Sequence, residues 1–318
     1  MDGAIQFKSL IPRLKELGMD SYAVTDHGWA GGLLEFQKAC QKEGIKSLLG
    51  CESYISGDPD YTEKKTRDNY HLVIIAKNNK GLHKLFKLQS EAATRNFYYK
   101  PRIYFNKLQE LAGDCVITTA CLAGILSRCM RFNRNDYGVV ESIDLVSKAD
   151  SKDEENSIGI NDLIKTLKSW FGSDLYLEVQ GWNNEENIQL LYDKTVIELA
   201  KKHDIKTVIT SDCHYLTKED HAIHEVLMAI QFKQTLEEYR SAGKMQYENE
   251  FYVKSPEEML ALATNLGVPE AASNTQEIVE KCNAEIETGK FYMPSFNHKT
   301  QPDYKDFKLW SQINANKL

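Results

Sequence analysis

Short apolar runs of β character alternate with helical stretches along most of this chain, and several of the runs stop at residues that bind metals. "SYAVTD", beginning at Ser21, leads into His27, and "SLLGCESYI" carries Cys51 and Glu52 at its centre. "HLVIIA" opens on His71, "CVITTACLAG" starts at Cys115, "DLYLEVQ" at Asp174 and "KTVITSDCH" at Lys206. Between them lie helical patterns. "IQFKSLIPRLKELGM" places Ile5, Leu10, Leu14 and Leu17 on one face and ends at Gly18, and a second helix is expected from about Leu33 to Glu43, closed by Gly44. "GLHKLFKLQSEAA" and "NIQLLYDKTVIELAKKH" complete the series. This alternation implies βα units and a mostly parallel α/β sheet, open or closed into a barrel.

With 318 residues the chain is long enough for one barrel-sized domain or two smaller ones. A net charge of −7 argues against a surface coated for nucleic acid, so polyanion binding has to be local. The 7 cysteines follow no short-spaced framework and read as reduced thiols. No leader pattern opens the sequence, and runs such as "LVIIA" are too short to span a bilayer, so a soluble cytoplasmic protein is expected.

Two segments break the rhythm. Residues 131–160, with "SKADSKDEENS" at their centre, read as a polar, irregular surface insertion without chemistry. A first domain over 1–222 is therefore expected to be followed by a helical extension over 223–290 and a linker over 291–318. Within the extension, "KSPEEM" reads as a helix start, with Ser255 as N-cap, Pro256 at the first helical position and Glu257 and Glu258 at the positive end.

In a parallel sheet the C-terminal ends of the strands face one rim, where residues from separate strands converge. At or near strand ends stand His27, Glu52, Cys121, Asp212 and His214, with His71 opening its strand. Isolated histidines such as His83, His203, His221, His224 and His298 are read as structural. The cluster is harder to assign to packing, because buried carboxylates and imidazoles need partners. Its mixture of imidazole, carboxylate and thiol suits zinc, manganese or iron(II) better than calcium or magnesium. The set exceeds one tetrahedral ion, so more than one metal is expected, and phosphoester hydrolysis is the leading chemistry.

"TDHG" at Thr25, "GCE" at Gly50, "YHL" at Tyr70, "ACLAG" at Ala120 and "SDCHYL" at Ser211 resemble the motif series of the polymerase-and-histidinol-phosphatase (PHP) domain. More narrowly, "DGAI" at Asp2, "FYYKPRI" at Phe97, "HEVLMAIQFKQTL" at His224 and "EFYVKSPEEM" at Glu250 resemble the N-terminal portion of bacterial C-family replicative polymerases, the DNA polymerase III alpha subunits. The resemblance implies a distorted, TIM-like seven-stranded (β/α) PHP barrel whose rim holds up to three metals, Zn2+, Mn2+ or Fe2+. It implies Asp2, His27, Glu52, His71, Cys121, Asp212 and His214 as ligands. Glu52 and Asp212 would position the hydrolytic water, Glu52 by bridging two metals, and Asp26 would orient a ligating imidazole. The family's His-x-His pair, on a strand just before the "DGA" aspartate, has no counterpart before Met1-Asp2, so that first barrel strand is missing and an unpaired sheet edge is expected.

The resemblance implies a fragment of a DNA-directed DNA polymerase, with DNA, the polymerase palm and thumb domains and a proofreading exonuclease subunit as partners. With a full ligand set such a module is expected to act as a metal-dependent 3′-5′ exonuclease. With ligands lost, a scaffold for the proofreading partner is the alternative, and a histidinol-phosphatase-like phosphomonoesterase is a further one. "FYYKPR" combines aromatics with Lys100 and Arg102, a composition able to stack bases and contact phosphate, although a packed aromatic turn fixed by Pro101 is the preferred reading.

Overall fold

The computed structural model describes residues 3–56, 69–136, 138–146, 159–183, 186–241, 248–291 and 293. The chain divides into two compact units, Met1–Ile286 and Glu287–Leu318, and every element named here belongs to the first. Most of the expected linker, together with Asp2, His298 and the acidic centre of the expected insertion, lies outside the described residues.

The N-terminal half is built as its periodicity predicts. Helix α1 (Phe7–Glu16) buries Leu10, Ile11 and Leu14 on one face, and strand β1 (Ser21–Val24) follows. Helix α2 (Leu33–Glu43) stops at Gly44, whose left-handed φ of 71° lets its N–H reach back to the Cys40 and Gln41 carbonyls. The long strand β2 (Lys46–Ser56) comes next, then β3 (Tyr70–Ala76) and α3 (Asn79–Thr94), the last capped by the Asn78 side chain accepting from the Gly81 N–H. A tight hairpin of β4 (Phe97–Tyr98) and β5 (Lys100–Tyr104) leads to β6 (Cys115–Thr118).

The stretch expected to be irregular contains a hairpin. Strands β7 (Met130–Arg134) and β8 (Val140–Leu145) pair antiparallel, with Val140 and Met130 buried and the polar residues facing out. Polar composition hid it because a two-stranded ribbon with one face in water needs few apolar residues. Helix α4 (Ile160–Phe171), which buries Ile160, Leu163, Ile164, Leu167 and Phe171, then precedes β9 (Leu175–Val179), α5 (Ile188–His203) and β10 (Lys206–Ile209). Helices α6 (His221–Phe232), α7 (Leu236–Ser241), α8 (Pro256–Asn265) and α9 (Glu270–Lys281) complete the unit. Ser255 caps α8 as expected, in a reciprocal box with Glu258.

The main sheet runs β10-β9-β6-β3-β2-β5-β4, with β1 also on β2. It is a curled, open α/β sheet; β1 and β10 are not paired with each other among the described residues. The β1/β2, β2/β5, β6/β9 and β9/β10 pairs are parallel. Strand β3 runs against both of its neighbours, so the sheet is mixed.

The two faces separate cleanly by the period-2 rule. Ile74, Ile117, Leu177 and Ile209 point to the face covered by α3, α4 and α5. Leu48, Ile75, Val116, Tyr176 and Val208 point to the other, inner face, where Ile278 and Cys282 of the α9 segment pack among them. The Asn274 side chain of α9 donates to the Thr207 carbonyl of β10, and Lys46 donates to the Val279 carbonyl, so both flanks of the helix are tied to strands. The helices after residue 222 are thus packed into the unit that holds the sheet.

Candidate metal centre

Two residues further along the strands from this apolar layer, the same inner face turns polar. Gly50 and Glu52 follow Leu48, Thr118 follows Val116, Glu178 follows Tyr176 and Thr210 follows Val208. The rim above them carries the imidazoles.

Strand β3 explains why His71 opens its strand whereas the other candidates end theirs. Because β3 is reversed, its N-terminal end lies beside the far end of β2, with Tyr54 opposite His71. His27 is brought to the same place by an isolated bridge to Glu52, and the Gly28 N–H donates to the Glu52 carbonyl at 2.8 Å. Gly28 has a φ of 59°, and a Cβ there would meet the Tyr54 ring at 2.8 Å and Pro101 at 2.9 Å, so the close approach requires glycine.

Glu52 stands at the centre of the cluster. Its Oε1 lies 2.8 Å from His71 Nδ1 and its Oε2 lies 3.3 Å from His27 Nδ1. The ligand atoms of His27, Glu52 and His71 all fall within 4.8 Å of one another, a spacing that one cation can bridge. Cys121 adds its Sγ at 3.5 Å from His71 Nδ1 and 4.0 Å from Glu52 Oε1. Ala120, in the left-handed region with a φ of 58°, turns the chain so that this thiol faces the group.

The opposite side of the rim is formed after β10. Asp212 has a φ of 47°, and His214 Nδ1 lies 2.7 Å from the Asp212 carbonyl, which orients the ring. The rings of His27 and His214 are 6.0 Å apart. His214 is further fixed through its backbone, accepting from the Ala4 N–H and donating to the Phe251 carbonyl. His224, read as structural, is buried and packs its ring on that of His214.

The electrostatics agree with a site built for cations. Burial, then the Asp212 carboxylate, pushes Glu52 up from 4.5 to about 8, against the pull of His27 and His214. Burial, with Asp212 and Glu52 next, holds the Cys121 thiol well above its ordinary value. Carboxylates and a thiol gathered out of water oppose one another's ionisation, and a bound divalent cation would favour their anionic forms instead. The donor set of imidazole, carboxylate and thiol therefore fits a divalent metal.

The Asp26 carbonyl accepts from the Glu52 N–H at 3.1 Å and from the Cys51 thiol at 3.2 Å. The orienting groups that the sequence did not disclose sit lower. Glu178, buried within an apolar strand, accepts from the Thr118 and Thr210 hydroxyls and from the Ala120 N–H, joining the segments that carry Cys121 and Asp212. Gln180 donates to Asp212 Oδ2 at 3.3 Å and is itself held by Trp182 and by buried Asp193, which burial pushes up to about 7. The only sequence signal for Glu178 was a carboxylate inside "DLYLEVQ", a run otherwise fit for a buried strand.

Residues 1–181 match the PHP domain family. DNA polymerase III subunit alpha of Helicobacter pylori is 35% identical over 316 residues, which cover 98% of this chain and 24% of that protein. The subunit of the same name from Aquifex aeolicus is 35% identical over 321 residues, 96% of this chain and 26% of the relative. The chain thus spans about a quarter of the length of the relatives it matches. A solved chain from Bifidobacterium adolescentis, described as a metal-dependent phosphoesterase, covers 67% of this chain and 84% of its own at 13% identity and a TM-score of 0.36, a likeness too loose to argue from.

Proposed function

The chain belongs to the PHP domain family, and from that premise we propose that it is the PHP module of a bacterial replicative polymerase, with metal-dependent hydrolysis of DNA phosphodiesters at the rim described above. The observation that carries the reading is the placement of the two Glu52 oxygens against two different imidazoles, 2.8 Å from His71 and 3.3 Å from His27. A carboxylate so placed can serve two cations at once. We assign His71 and Cys121 to one side of it, His27 and His214 to the other, and Asp212 to the remaining position; Asp2 belongs to the same assignment by family resemblance. Zn2+, Mn2+ and Fe2+ match this donor chemistry. Bound there, such ions supply Lewis acidity toward the phosphoester oxygens and lower the pKa of an attacking water.

The protein's own part is to hold the donors and release their protons. Cys121 has to lose its proton to bind, and Glu52 to be ionised. Glu178 and Gln180 keep the Cys121 and Asp212 segments in register, so that the rim needs little rearrangement on loading. DNA, the rest of the polymerase chain and a proofreading exonuclease are the partners this reading carries. The decisive experiment is digestion of a 5′-labelled single strand by the metal-loaded chain, with elemental analysis of the same sample. Shortening from the 3′ end that Glu52→Gln abolishes supports hydrolysis, whereas a loaded but inert chain favours a scaffold.

A further inference from the structure

The rim has an aromatic lip on one side. Trp29, directly after the Gly28 that packs against Tyr54 and Pro101, is 64% exposed. Phe97 and Tyr99, on the hairpin that contributes Pro101, are 51% and 60% exposed. Exposed aromatics thus stand on both of the segments that meet where Gly28 approaches Tyr54 and Pro101.

Tyr99 carries a backbone cost. It is the apex of the β4/β5 hairpin, with Tyr98 paired to Lys100 on either side of it, and its φ is 59°. A bulky residue rarely adopts that left-handed conformation, for which glycine would be suited. The hairpin apex is thus occupied by an aromatic ring, packed edge-on against Tyr98 with centroids 4.7 Å apart, where glycine would adopt the same backbone more easily.

The lip is joined to the metal rim by Tyr54. Its ring stacks on His27 at 5.9 Å and meets His71 edge-on at 5.3 Å, while exposed Lys100 donates to its hydroxyl at 3.2 Å and lies over its ring. Arg102, by contrast, is buried against Ser56 and Tyr98 and is not available to a ligand. Exposed aromatic faces with Lys100 among them, beside the candidate metal centre, have the composition of a single-strand platform: bases stack and the cation meets a phosphate.

We propose that Trp29, Phe97 and Tyr99 form a base-stacking lip that receives the end of a single DNA strand and delivers its terminal phosphodiester to the metal rim. The proposal rests on the hydrolytic reading for its last step only, since stacking needs no metal. It accounts for a bulky residue at a left-handed hairpin apex and for the exposure of all three rings.

The test is fluorescence anisotropy of 5′-fluorescein-dT12 with the full chain in EDTA, with metal-loaded turnover of bis(p-nitrophenyl) phosphate scored separately. Trp29→Ala and Tyr99→Gly are each expected to weaken dT12 binding about tenfold, with Trp29→Phe recovering most of the loss. Tyr99→Gly relieves the backbone, so its melting temperature should stay level or rise, and weaker binding cannot then be unfolding. Unchanged dT12 affinity in both variants, or no measurable dT12 binding by the unaltered chain, overturns the lip. Aromatic-dependent binding without diester turnover supports the lip and sinks the hydrolytic reading instead.

Discussion

Glu52 Oε1 lies 2.8 Å from His71 Nδ1, a contact made between the middle of one strand and the first turn-free residues of a strand running the opposite way. Two neighbouring strands of opposite direction put a carboxylate and an imidazole at one rim although their positions within the strands differ. The pairing, with His27 at the other oxygen, sets one carboxylate against two imidazoles and makes Glu52 the candidate ligand whose loss should matter most.

Glu52→Gln removes the negative charge and one competent oxygen while keeping the shape. It is expected to lower the metal content of the purified chain by at least one equivalent, measured by elemental analysis, with the far-UV spectrum retained. Metal content equal to that of the unaltered chain would refute the bridging role.

The same substitution has a pH signature in the metal-free protein. The folded value of Glu52 is raised above its ordinary 4.5, to about 8, so ionisation burdens the fold as pH climbs between those values. Stability of the unaltered apoprotein relative to Glu52→Gln should therefore fall from pH 5 to pH 8. Urea unfolding at several pH values reads this; a difference that does not vary with pH would contradict it.

Asp114 predicts the opposite trend. Hydrogen bonds from Lys84, Lys80 and Asn78 hold its carboxyl down, from 3.8 to about 2. Its contribution is complete above the ordinary value and is lost as pH falls toward 2. Asp114→Asn should cost at most about 2 kcal/mol at pH 6 and only a small fraction of that at pH 2. A deficit as large at pH 2 as at pH 6 would mean that packing, not charge, is responsible.

Glu178→Gln leaves every candidate metal donor in place but loosens the hold on Thr118, Thr210 and Ala120. Orienting groups of this kind change metal affinity by about 10–100-fold. Titration with zinc against a competing chelator should show weaker binding, with little change in melting temperature.

Gly28→Ala places a methyl within 2.9 Å of Tyr54 and Pro101 at a φ of 59°. A cost of about 1–3 kcal/mol is expected. Because Tyr54 touches both His27 and His71, metal affinity should fall along with stability, an association that a distant destabilising substitution such as Leu167→Ala would not produce.

His27, Glu52, His71 and Cys121 were legible because strand-like runs and metal-binding residue types coincide in the text, and the helix ends at Gly44 and Ser255 because caps are local. Two things were not. Glu178 lies in a run whose period and composition are those of a buried strand, and nothing nearby in sequence reveals that its partners are Thr118 and Thr210. The hairpin in the expected insertion failed for a different reason: polarity measures exposure, and a ribbon can be exposed and ordered together. The reversed direction of β3 depends on pairings across the sheet, which periodicity does not encode.

Helix α9 supplies the last side chains to an inner layer whose first member, Ala23, is contributed by β1. A nascent chain leaving the ribosome therefore cannot dry the interior of its sheet until residue 282 has emerged, however early the strands pair. Contacts this distant in sequence are slow to form, and a chain stopped near residue 222 would leave Leu48, Val116 and Val208 facing water. Synthesis and folding of this unit finish together, at its C-terminal helix.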